Sequence, residues 1–140
     1  MRKLKNYIFY RTYNANKLWG NPPVFTSCLY LSSIEFVLAF PILGFILELF
    51  RHDKVDYGKL IFVLLIIIVF LNFKYYFNDD NLKKILSSNT NNKYNKTVSK
   101  WWFFFILPIS MVIGIGSYFY ISLYLINKYE LEGFLYKLWW

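Results

Sequence analysis

Residues 101–126 read WWFFFILPISMVIGIGSYFYISLYLI, twenty-six positions without a charge, with Lys100 before them and Asn127-Lys128 after. As a helix rising ~1.5 Å per residue the stretch reaches ~39 Å, beyond the ~30 Å hydrocarbon core of a bilayer. A helix apolar on every face has no water-facing side in a soluble fold, whereas a bilayer buries all of it. The stretch therefore reads as a transmembrane helix, and the rest of the chain is placed from it.

Working outward, Leu60–Leu71 (LIFVLLIIIVFL) is a second unbroken apolar run, extended by its neighbours to a span at 59–77 with Asn72 and Lys74 near one end. A first span falls at 24–50, opened by Pro22-Pro23 after Gly20-Asn21, with Asn21 as the expected N-cap. Pro41 lies inside it and has no N–H for the carbonyl four residues back, so a kink is expected there. The loop 51–58 between the first two spans is short and mixed in charge.

Outside the spans, segment 1–23 carries Arg2, Lys3, Lys5, Arg11 and Lys17 and no acid, with apolar residues at helical spacing. It reads as a basic amphipathic helix in the headgroup layer, with Trp19 at the interface. Segment 78–100 is the long polar loop. Asp79 or Asp80 caps a short helix there, and Ser87–Asn95 (SSNTNNKYN) reads as low-complexity and mobile. Segment 128–140 is an aromatic interfacial tail ending in Trp139-Trp140; Trp101 and Trp102 mark the entry to the last span. The fold expected is all-α: an integral membrane protein with three transmembrane helices, an N-terminal amphipathic interfacial helix and an aromatic C-terminal tail.

Composition agrees with that class. Hydrophobic residues make up 57% and charged ones only 17%, with a mean hydropathy of +0.34. Sixteen Lys and Arg stand against eight Asp and Glu, an excess that suits a bilayer with anionic headgroups. No basic run is dense enough to track phosphates, which argues against nucleic acid as a partner. Counted by side, with Lys74 assigned to the 78–100 loop and Lys59 to the first loop, eleven Lys and Arg fall with the N-terminus and the long loop, and five with the first loop and the tail. The positive-inside rule then puts the N-terminus and the long loop in the cytoplasm and the C-terminus outside.

Little in the chain points to catalysis. The lone Cys28 excludes an internal disulfide and any cysteine metal cluster, and the lone His52 sits with Asp53 and Asp56 as ordinary loop charge. No phosphate loop, His-x-x-x-His pair or nucleophile elbow is present, so neither an enzyme nor a cofactor or metal is expected.

Two features carry interest. A carboxylate at Glu35, if near the bilayer midplane, costs about 2.5–3.5 kcal/mol and must be protonated or paired. The other register treats Ser32-Ser33-Ile34-Glu35 as a capping box that starts the span near Ile34 and leaves Glu35 at the headgroups. Both registers are open from sequence alone. In the last span Ser110, Gly114 and Ser117 share a face that lets a helix approach closely, either the chain's own first span or a partner's.

Tyr7-Ile8-Phe9-Tyr10-Arg11-Thr12-Tyr13 before a proline break, Pro22-Pro23 opening a span, and Lys93-Tyr94-Asn95-Lys96 before the last span together set a layout. It resembles that of small bacterial multi-span membrane proteins, some of them immunity partners of secreted toxins and most without an assigned role. The resemblance carries over no functional residue, and the tail after Asn127 has no counterpart in it. The absence of catalytic groups, the small size and the Ser110, Gly114 and Ser117 face favour a non-enzymatic binding protein with a protein partner, an immunity-type inhibitor or an accessory subunit. The alternative expectation is a self-assembling homo-oligomeric transporter or pore that uses Glu35.

Overall fold

A computed structural model describes residues 2–50, 57–99 and 102–129, and these are all-helical with no strand among them. The expectations for 51–56, Trp101 and 130–140, including His52, Trp139 and Trp140, lie outside the described residues. The helices are α1 (Arg2–Leu18), α2 (Pro23–Leu49), α3 (Tyr57–Tyr76), α4 (Asp79–Thr90), α5 (Tyr94–Thr97) and α6 (Trp102–Phe119). The last continues as a π-helical segment, Tyr120–Ile126, and a final α-helical turn, α7 (Asn127–Tyr129). Three stretches, Pro23–Leu49, Gly58–Tyr76 and Trp102–Phe119, are long and apolar enough to cross a membrane.

Helix α1 ends at Gly20, whose φ of 73° suits a residue without a Cβ; its N–H donates to Lys17 O and that of Asn21 to Asn16 O. The chain then reverses. The N-cap of α2 is Pro22 rather than the expected Asn21, with Pro23 at the first helical position, where the missing N–H costs nothing. The helix runs as one element through Pro41 to Leu49.

Helix α2 is the centre of the molecule: α1, α3 and α6 all pack on it. Helix α1 runs back along its first half, from Asn16 beside Ser27 to Lys5 beside Glu35. Helix α6 runs parallel to it, since Tyr30 meets Phe103, Val37 meets Gly114, and Gly44 meets Tyr118. A compact core of Phe9, Cys28, Leu31, Tyr76 and Ile85 forms where α1 to α4 converge. In it the Phe9 and Tyr76 rings stack with centroids 4.0 Å apart, and Tyr76 Oη donates to Asn6 Oδ1 at 3.1 Å.

Two sequence expectations change here. Helix α1 does not present its apolar stripe to lipid alone. It buries a mixed face of Tyr7, Phe9, Arg11, Thr12, Ala15 and Asn16 against protein. Apolar periodicity missed that face because half of it is polar. These groups are satisfied locally: Thr12 Oγ1 donates to Ile8 O and Phe9 O, and Asn16 Nδ2 donates to Thr12 O. Segment 78–99 is also more ordered than its composition suggests. Asn78, not Asp79 or Asp80, caps α4 by accepting from the Asn81 N–H, and the helix runs on through Ser87–Thr90. The two aspartates occupy its first turn, where the helix dipole favours them.

Candidate functional site

Polar side chains meet at two places along α1, one against α2 and α3 and the other against segment 94–98. The first is a layer around Glu35. One carboxylate oxygen takes Lys5 Nζ at 2.5 Å and the other takes Asn72 Nδ2 at 2.7 Å. The same amide donates to Ser32 Oγ at 2.9 Å, and Ser32 donates on to Cys28 O. A basic helix, a serine-bearing helix and the only amide in the α3 apolar run are thus joined through one carboxylate. Helix α2 begins at Pro23, not near Ile34 as the capping-box register has it. Ser32 and Ser33 lie inside α2 and bond back to Cys28 O and Leu29 O, so the spacing that resembled a capping box caps nothing. Glu35 is seven residues, or ~10 Å of helix, beyond Cys28, the residue that packs with Tyr76 at the end of α3.

The second place is a clasp around Arg11, which is only 5% exposed. Its Nη2 donates to Val98 O at 2.5 Å; its Nη1 reaches Tyr94 O at 3.4 Å, Asn95 Oδ1 at 3.3 Å and Tyr7 Oη at 3.1 Å. The guanidinium also lies 4.8 Å from the Phe103 ring centroid. Asn95 in turn donates to Asn89 O and Thr90 O, tying α5 to the end of α4. Arg11 was expected at the lipid interface. It is instead the pin that holds segment 94–98 against α1, because its planar fork of donors reaches two backbone carbonyls and the Asn95 side chain at once.

The other residues expected at the lipid interface behave differently from Arg11. Arg2 and Lys3 are exposed, Lys5 is half-buried in its ion pair, and Trp102 is exposed. Trp19 is exposed yet stacks on Phe104 with centroids 5.0 Å apart.

On the small-residue face of α6, Ser110 and Gly114 are buried and Ser117 is half-buried. Gly114 lies against the backbone of Val37, so closely that a Cβ there would overlap the Val37 carbonyl. That carbonyl is the one Pro41 leaves without its helical N–H donor. Proline and glycine, at positions 41 and 114, therefore act as a pair: one leaves a backbone oxygen without its helical donor and the other lets α6 close over it. Gly44 on α2 plays the reciprocal part, with the Tyr118 ring seated where its Cβ would be. The face thus packs inside the chain. Tyr30 adds a polar stitch, its hydroxyl donating to Phe103 O and accepting from the Leu107 N–H at 3.2 Å.

Sequence reasoning missed the partners rather than the actors. Asn72 stood out as the polar residue at the edge of an apolar run, and Glu35 as the acid in another; pairing them was the available inference. Nothing in the sequence signals Asn95 or Val98 as acceptors for Arg11. Among the described residues no group of His, Cys, Asp and Glu is placed to hold a metal ion. No protein-family model matches the chain, and it matches neither a curated protein nor a solved structure.

Proposed function

We propose that the protein is a three-span integral membrane protein of a bacterial cytoplasmic membrane. In this reading it acts without catalysis, by binding a protein partner, as an immunity-type inhibitor of a membrane-acting toxin or as an accessory subunit. The N-terminus and segment 78–99 face the cytoplasm and the C-terminus lies outside. The sidedness is supported by the basic residues of α1 sharing one end of the molecule with Lys83, Lys84, Lys93 and Lys96.

The observation that carries the binding reading is the state of α3. Only 6% of its most apolar window is buried, and Phe62, Ile66 and Phe70, four residues apart on one face, all point away from the molecule. A helix that gives one edge to its own fold has the rest free for a second membrane protein. The Glu35 layer counts against the transporter reading, since both carboxylate oxygens are already engaged.

The test is photo-crosslinking from Phe62, Ile66 and Phe70 positions in native membranes, with Trp102 on α6 as the comparison. A discrete adduct with one other membrane protein from the α3 positions is expected. Lipid adducts alone would remove the reading, and an adduct with a second copy of the chain would replace it with a homo-oligomer.

A further inference from the structure

The junction of α1 and α2 leaves an open groove of ≈ 370 Å³. Leu4, Ile8, Leu31 and Ile34 form its walls, and Arg2, Lys5 and Glu35 its rim. The rim charges are not equivalent. Lys5 is answered by Glu35 at 2.5 Å, whereas Arg2 meets no carboxylate among the described residues and rests on the Tyr75 ring, 4.8 Å from its centroid. Below the groove the apolar wall continues along one face of α2 as Leu38 and Ile42, four and eight residues beyond Ile34 and both exposed.

We infer that this groove is a binding site for a single anionic phospholipid, with its phosphate on Arg2 and an acyl chain leaving over Leu4 and Ile34, away from Ile8 and Leu31, which close the other end of the groove. The inference rests on the membrane reading above. A guanidinium held by an aromatic face keeps its N–H edge for a phosphate, which it grips at two oxygens. The excess positive charge selects a headgroup with net negative charge over a zwitterionic one. The chain then follows Leu38 and Ile42 into the apolar layer, so the walls and the stripe below them serve one ligand.

The experiment uses the full chain in mild detergent, offered phosphatidylglycerol or phosphatidylcholine, with retained lipid counted by native mass spectrometry. Wild type is expected to hold one phosphatidylglycerol with a preference of about fivefold, the effect of one basic residue near an anionic headgroup. Arg2→Gln should bring the two lipids level. Leu4→Trp, which fills the groove from an exposed position, should lose both. Millimolar inorganic phosphate should leave the lipid in place; displacement by it would reduce the site to a phosphate contact and overturn the role of the groove. Equal retention of both lipids by wild type, or full retention of phosphatidylglycerol in both variants, also overturns the site. Alkaline carbonate extraction separates the two readings. A chain that stays in the membrane but shows no lipid preference removes this site alone, and a chain that is extracted removes the membrane reading with it.

Discussion

Against α6, helix α2 packs through Gly44, Gly114 and a bare backbone carbonyl; against α1 and α3 it packs through Ser32, Glu35, Asn72 and Lys5. On the membrane reading proposed above, moving one apolar helix onto another brings no hydrophobic gain, so association depends on close backbone approach or on hydrogen bonds. The two sides of α2 lean on different means, with the Tyr30 hydroxyl as the polar exception on the α6 side. They should therefore fail differently, sterically on one side and by unsatisfied polar groups on the other.

The largest effect is expected at Gly114. Gly114→Leu sets a side chain on the Val37 backbone, which cannot step aside as a flexible side chain would. The two helices must separate, at a cost of about 3 kcal/mol or more. Gly116, two residues on, has nothing within 4 Å of its Cβ position, so Gly116→Leu should stay within about 0.5 kcal/mol. The unfolding midpoint in mixed detergent measures both. Equal midpoints for the two variants would break the steric half of the comparison.

Next in size is Arg11. Arg11→Gln takes the donor from the Val98 carbonyl, while Tyr94 O keeps the Val98 N–H and Asn95 Oδ1 keeps the Tyr7 hydroxyl, a loss of about 2 kcal/mol. Arg11→Lys should recover little of it, because a single ammonium does not reproduce the fork. The direct measurement is limited proteolysis within 91–99. A segment as resistant in Arg11→Gln as in wild type would show that the clasp holds nothing.

Glu35→Gln should be milder. The side chains of Lys5 and Glu35 are each 33% exposed, so solvent screens their attraction and the loss is about 1 kcal/mol. Asn72 retains an acceptor in the new amide oxygen. Ion flux through liposomes should be unchanged by the substitution. Flux that is present in wild type and lost in the variant would turn the layer from a brace into a conducting site.

The three apolar helices were legible because they rest on composition and length, which survive without any knowledge of contacts. The small-residue face was legible because Ser110 and Gly114 lie four apart on a helix. Its partner surface was not, since Pro41 and Val37 matter only once α6 is laid parallel to α2. The α1 reading went astray for a related reason. Arg11, Thr12 and Asn16 look solvent-seeking one by one, and only the folded 94–98 segment and Ser27 turn them inward. Local pattern identifies an element, while long-range pairing decides which of its faces is buried.

The smallest effect should fall at the other end of that polar side, on the helix that covers it. Asn78 caps α4 through the Asn81 N–H, and α4 in turn seats Ile85 in the core with Phe9 and Tyr76. Losing this exposed cap in Asn78→Ala costs about 0.5 kcal/mol and frays the first turn before it unseats Ile85. Asn78→Asp keeps an acceptor at the position and adds charge that the helix N-terminus favours. Amide exchange at Asn81 should therefore quicken in the alanine variant and stay near wild type in the aspartate one, with Ile85 slow in both. Fast exchange at Ile85 in the alanine variant would mean that α4 is held by its cap rather than by the core, and the polar end of α2 would then be the weaker of its two sides.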